Sequence, residues 1–219
     1  MKAMWLAIAG IALAAHAQNQ SGADPVIQID FSNPGLSPPQ WSMTLHADGS
    51  GHFRSQMGKI PDGGLKEIEV PSQDRDIRVS PQFAGRVFEA AERHHWFEER
   101  CESGLKVAFQ GWKTLTYAGP QGKGSCTFNY SKDKEIQDLG DSLDAVAETI
   151  LEGARLQILW QHDPLGLDQE MQFLTEAVGD GRAQQVCAIR DILERLAQDD
   201  GVLDRVRKRA KALLARGTT

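Results

Sequence analysis

The side chains whose types and spacing could do chemistry are two histidines, an acid–histidine cluster, a glycine-rich turn and three cysteines. His46 and His52 flank the turn Ala47-Asp48-Gly49. On a hairpin with an odd or bulged loop they share one face, close enough to hold a metal ion, but zinc wants a third or fourth ligand and none is implied beside them. Glu92 and His95 form an E-x-x-H pair at helical spacing, and His95 with Glu99 repeats the pairing. Di-iron carboxylate bundles need two such helices plus two more glutamates, and this chain offers one. The cluster reads as helix-surface pairing near a C-terminus, where cationic side chains complement the dipole.

The run Gly119-Pro-Gln-Gly-Lys-Gly-Ser125 has the composition of a phosphate-binding loop without its order. Lys123 precedes Gly124 and a strand follows, where that loop needs Gly-Lys-Ser/Thr opening a helix. It reads as a flexible hairpin turn. Neither Gly49-Ser50-Gly51 nor Ser125-Cys126 is a nucleophile elbow, and His162-Asp163 reads as the end of a helix before Pro164. No catalytic, cofactor-binding or metal-binding residue is assigned, and no cofactor is implied.

The first residues say where the chain goes. Met1-Lys2 is a short positive region, Met4–Ala15 an apolar run, and Ala15-His16-Ala17 an A-x-A cleavage site, so residues 1–17 read as a signal peptide. The run is shorter than the roughly 20 residues a bilayer core demands. The reading is an exported chain, periplasmic or secreted. Losing Lys2 takes the net charge from -6 to -7, which disfavours nucleic acid, since phosphate contacts dominate that affinity. Export also allows Cys101 and Cys126 to form a disulfide, leaving Cys187 as a buried residue on a helix. In a regular hairpin Cys126 lies near the turn and Cys101 near the far end, so the bridge needs the first strand to bend, with Gly111 available to do it.

The elements that must hold these residues begin after a loose leader, 18–25. Val26–Phe31 alternates as a strand, and Ser32–Gln40 is a proline-rich connection. Trp41–His46 and Gly51–Met57 form a hairpin with Trp41, Met43, Leu45 and Phe53 on one side and Ser42, Thr44, His46 and His52 on the other. Ile60–Gly64 is a turn, and Leu65–Val70 and Asp76–Val79 are weaker strands. Ser80-Pro81 caps a helix over Gln82–Trp96, and Glu98–Leu105 is a loop carrying Cys101.

The strongest periodic signal follows. From Val107 the chain forms a second hairpin, with Cys126, Phe128 and Tyr130 alternating, that feeds a long helix. Ile136, Leu139, Leu143, Val146 and Ile150 mark its buried stripe, and Asp141, Asp144, Glu148 and Glu152 read as a solvated acidic face. The helix ends near His162. Helices over Leu167–Val178, Arg182–Gln198 and Val202–Ala215 follow, separated by short breaks typical of antiparallel neighbours. In the last of them Arg205, Arg207, Lys208, Arg209 and Lys211 make a basic face, the expected contact for an acidic partner or a membrane surface.

The order from Trp41 to Gly49 (Trp-Ser-Met-Thr-Leu-His-Ala-Asp-Gly), then helix, hairpin and helix, resembles uncharacterised exported domains of bacteria. The likeness covers roughly Val26 to Gln161 and implies no catalytic residues. The expected fold is α+β: an antiparallel sheet of hairpins packed by two helices over 26–163, with a small α-helical module over 164–219. The expected function is a non-catalytic binding or protein-interaction module of the cell envelope, its partner an unknown protein or envelope component. The competing expectation is a hydrolase or metal-dependent enzyme whose site assembles from residues distant in sequence.

Overall fold

In the computed structural model, residues 24–60 and 68–217 are described. The expected signal peptide, most of the expected leader and the stretch 61–67, which takes in most of the expected turn and the start of its following strand, lie outside them. Alternation of apolar and polar residues sets the strands. They are β1 (Val26–Ser32), β2 (Gln40–His46), β3 (Ser50–Ser55), β6 (Gln73–Arg78), β7 (Trp112–Gly119) and β8 (Gly122–Phe128), with a separate short pair β4 (Gly58–Ile60) and β5 (Ile68–Val70). The six form one sheet in the order β6-β3-β2-β1-β7-β8, every neighbour antiparallel.

One face of this sheet is the floor of the core. Ile27, Ile29, Phe31, Trp41, Met43, Leu45, Phe53, Leu115, Tyr117 and Phe128 point into it. Helix α1 (Pro81–Arg93) covers it with Phe83, Val87 and Ala91, and α2 (Lys134–His162) with Ile136, Leu143, Val146 and Ile150. The expected cap is present, Ser80 Oγ accepting from Phe83 N, and Asp133, not singled out from the sequence, caps α2 by accepting from Glu135 N and Ile136 N. The fold is the expected α+β one.

Helix α1 stops earlier than its pattern indicates. It ends at Arg93, and His95, Trp96 and Phe97 follow with φ of 49, 58 and 66°. The strained turn returns the chain to the sheet: Trp96 stacks on Tyr117 at 4.3 Å and Phe97 is buried. It also takes His95 out of the helix, so the Glu92–His95 pairing does not form on one helical face. The buried histidine is His94, whose Nδ1 meets Glu99 at 2.6 Å and whose Nε2 meets Glu135 at 3.1 Å. Chain ends of α1 and α2 are thus tied together.

Cys101 and Cys126 are bridged, with Cα atoms 5.6 Å apart. The expected geometric conflict disappears because Cys101 lies in an irregular segment beside β8 rather than on a strand of the hairpin. Gly111 does bend the chain, at φ +126° and against the Phe31 ring, where a Cβ would collide. The second hairpin is tighter than expected. Gly119 pairs with Gly122, so the turn is Pro120-Gln121 and Lys123 and Ser125 belong to β8.

After His162 the chain turns at Asp163, which caps α3 (Pro164–Asp180) by accepting from Leu165 N and Gly166 N. The expected helix over Arg182–Gln198 is shorter, because 182–185 are irregular and Val186–Ile189 form a single 3-10 turn before α4 (Arg190–Gln198). Helix α5 (Asp204–Arg216) closes the module. A second apolar cluster joins Leu156 and Leu159 of α2 to Leu167, Leu174, Ile189, Leu193, Val206 and Leu213. Helix α2 therefore runs through both clusters.

Candidate functional site

The second face of the sheet is polar, and its residues fall into rows fixed by the strand register. One row reads Trp112, Ser32, Gln40 and Gln56 across β7, β1, β2 and the end of β3; the next reads Thr127, Thr114, Asp30, Ser42, Arg54 and Asp74. Successive rows stand about 7 Å apart and neighbouring strands about 4.8 Å. At the Trp112 end these side chains surround an open depression of about 480 Å³. Its polar groups are oriented by one another. Gln28 Nε2 donates to both oxygens of Asp30 at 2.9 and 2.8 Å, Arg54 Nε donates to Asp74 at 3.1 Å, and Gln56 Nε2 donates to Gln40 Oε1 at 2.8 Å.

Beside the depression the chain presents apolar side chains to solvent. Leu105, Val107, Phe109 and Trp112 are 50, 42, 49 and 45% exposed, and Phe109 meets Trp112 edge-on at 5.8 Å. Trp112 opens β7, and the irregular backbone before it is tied at several points. Glu102 accepts from Asn129 N and Gly104 N, which with its other hydrogen bonds holds its carboxyl below the usual range. Asn129 in turn accepts from Gln110 N and donates to Ala108 O, and Asn33 donates to Gln110 O. Leu36, at the adjoining bend after β1, is exposed as well.

A second concavity, of about 570 Å³, lies on the helical side of the sheet between the 36–38 bend, α2 and the turn at Gly181. Here the expected acidic face of α2 is corrected. Asp144 and Asp141 pair with Lys113 at 3.0 and 3.5 Å, and Lys113 itself is 2% exposed because it faces Phe31 and Phe128 across the strands. Burial lifts Asp144 to a pKa of about 6, more than Lys113 lowers it. Glu152 is wholly buried. Burial and a hydrogen-bonding approach to the Glu170 carboxyl raise it well above the usual range, against Arg155, which binds Glu152 and reaches Glu148 at 3.3 Å and Glu170 at 3.9 Å. The stripe of α2 is wider than its pattern showed because these acids bring their own cations inside.

The residues singled out from sequence are placed as follows. His46 and His52 do share the polar face, one row apart. His52 is engaged with Asp76 and Asp74, each at 2.8 Å from a ring nitrogen. Among the described residues no three or more His, Cys, Asp or Glu side chains are grouped to hold a metal. Cys187 is half-buried with a free thiol, raised by burial. On α5, Arg205 and Arg209 both hold Asp168, at 2.7 and 2.6 Å, while Arg207 holds Asp200 and Lys208 holds Asp204. Lys211 is exposed on the same helix.

Sequence reasoning missed Trp112, Asp30 and Arg54. The signal was present for one of them: Trp112 shares its parity with Thr114 and Thr116 and so belongs on the solvent side, an unusual place for a tryptophan. The row that joins Asp30 to Arg54 depends on the register of three strands and has no local signature.

Compared with known proteins, the chain matches no family model and no curated protein sequence.

Proposed function

We propose that this chain is an exported, non-catalytic binding module of a bacterial cell envelope, periplasmic or secreted. One observation carries the binding half: Leu105, Val107 and Phe109 stand half-exposed on a segment anchored at both ends by Glu102 and Asn129, beside a half-exposed Trp112 held in strand β7. Apolar surface held in water on an ordered segment gives up little further freedom when covered, and clusters of it mark recognition surfaces. Export is supported by the charged start, apolar run and A-x-A site of residues 1–17, and it suits the Cys101–Cys126 disulfide, since such bonds persist in oxidising compartments. The resemblance to exported bacterial domains supports the same placement. Contact of α5 with an anionic surface is the lesser part of the proposal, because Arg205, Arg207, Lys208 and Arg209 already hold carboxylates within the chain.

The second reading, a hydrolase, is favoured by one observation only. Asp144, at about 6, lines the helical-side concavity with one carboxylate oxygen unpartnered, and raised carboxyls in clefts serve as general acids.

A photo-crosslinking residue at Phe109, compared with one at the exposed Arg86 of α1, tests the proposal in intact cells. A discrete adduct formed from position 109, absent from position 86 and lost when Leu105 and Val107 are changed to serine, is the expected result. Equal or absent labelling at the two positions would overturn it.

A further inference from the structure

We infer that the depression beside Trp112 is a carbohydrate subsite, in which a hexopyranose ring of an oligosaccharide stacks on the indole and its hydroxyls are bound by Asp30, Arg54, Gln40 and Gln56. The inference rests on the reading of the chain as a binding module and names its ligand class. A pyranose has an apolar C–H face and a rim of hydroxyls, each both donor and acceptor. The depression matches both aspects. Trp112 is 45% exposed and lines the depression; apart from Phe31 and Trp41, the remaining lining is polar and mixed in character.

Each polar group keeps capacity after its internal bond. The Gln28 amide fixes the Asp30 carboxylate, which has further lone pairs for hydroxyl donors. Arg54 spends Nε on Asp74 and retains its terminal N–H groups. The Gln56–Gln40 pair leaves a donor on Gln40 and an acceptor on Gln56. With Trp112 these groups sit on, or in the case of Gln56 directly after, four neighbouring strands, so their spacing is set by the sheet. Other ligand classes fit worse. Arg54 is the one cation of the lining and is offset by Asp30 and by Asp74, which disfavours phosphates and other anions. An apolar peptide side chain would cover the remaining lone pairs and N–H groups of the carboxylate and amides without replacing their water partners. The volume of about 480 Å³ lies in the range of small-ligand sites and leaves room beyond a single ring.

The test is a titration of the purified chain with two soluble probes, a tetramer of β-1,4-linked glucose and a tetramer of β-1,4-linked N-acetylglucosamine, read by calorimetry and by the tryptophan indole N–H resonances. The expected result is saturable binding of at least one probe that perturbs the Trp112 resonance. Trp112→Ala is expected to weaken it about tenfold or more, Asp30→Asn to weaken it to a lesser degree, and both variants to melt at the wild-type temperature. Binding that survives Trp112→Ala, or no binding of either probe at 10 mM, overturns the subsite. If neither probe binds while the Phe109 crosslink to a protein persists, the carbohydrate inference fails and the binding-module reading stands. Release of new reducing ends from a bound probe has the opposite meaning: the subsite holds and the non-catalytic reading falls.

Discussion

Two side-chain groups centred on acids of α2 show what burial does to ionisable residues in this protein. The folded chain keeps a proton on Glu152 that the unfolded chain releases above about pH 4.5, so the extra proton belongs to the native state. The stability it contributes is therefore greatest at low pH and declines as pH rises above that value toward the raised native one. Glu152→Gln keeps the neutral shape and removes the titration. Between about pH 6 and 9 the variant is expected to lose less stability than wild type in urea melts; parallel curves would show that Glu152 carries no extra proton. Lys113 and Asp144 form the second group. Asp144→Ala leaves a buried ammonium with only Asp141, at 3.5 Å, and is expected to cost about 2–3 kcal/mol. Adding Lys113→Met is expected to recover most of that loss, and a double variant as unstable as the single one would refute the pairing. Neither group was legible in the sequence. Acids at i, i+3 and i+4 look like a wet helix face, and Lys113 betrays itself only by sharing parity with Leu115 and Tyr117.

Among the elements, the hairpins and the long helix were readable because their periodicity is local. Strand β2 shows its faces through Trp41, Met43 and Leu45, and α2 through five apolar residues at helical steps. The end of α1 was not readable, because Trp96 and Phe97 continue an apolar pattern while the sheet pulls them into left-handed backbone. The loop from Cys101 to Gln110 is anchored by the disulfide at one end and by Asn129 at the other. Replacing Cys101 and Cys126 with alanine is expected to lower stability by roughly 3 kcal/mol, from the freed chain entropy of a loop of this size, measured by urea unfolding. A change below about 1 kcal/mol would mean that the hydrogen bonds of Glu102 and Asn129 hold the loop without it. The apolar side chains on that loop are a separate matter. Phe109→Ser is expected to leave the melting temperature within a degree or two of wild type, since its ring is half in solvent already; a large drop would make the loop part of the core rather than a recognition surface.

Across the whole molecule the expected division at Pro164 marks a change of direction, while the apolar contacts divide the chain elsewhere. Leu151 belongs to the cluster under the sheet and Leu156 to the cluster among the later helices, so the two meet within α2. They are also tied across. Thr149 Oγ1 donates to Gln184 O at 2.6 Å, Gln184 N to Ala145 O, Ser80 N to Gln185 Oε1, and Arg75 pairs with Asp191. A sequence reading sees Asp163-Pro164 and stops; it has no sign that the preceding turns of helix belong to the next unit. Removing α5 takes Val206, Ala210 and Leu213 out of the second cluster. A chain ending at Gly201 is expected to melt well below wild type by circular dichroism, whereas an unchanged melt would make α5 an appendage. For the shared helix there is a further consequence, in time rather than in space. The amides between Leu151 and Leu156 are opened only when both clusters have let go, so they are expected to be among the slowest of the chain to exchange with deuterium, while the ends of α2 exchange earlier and on separate clocks.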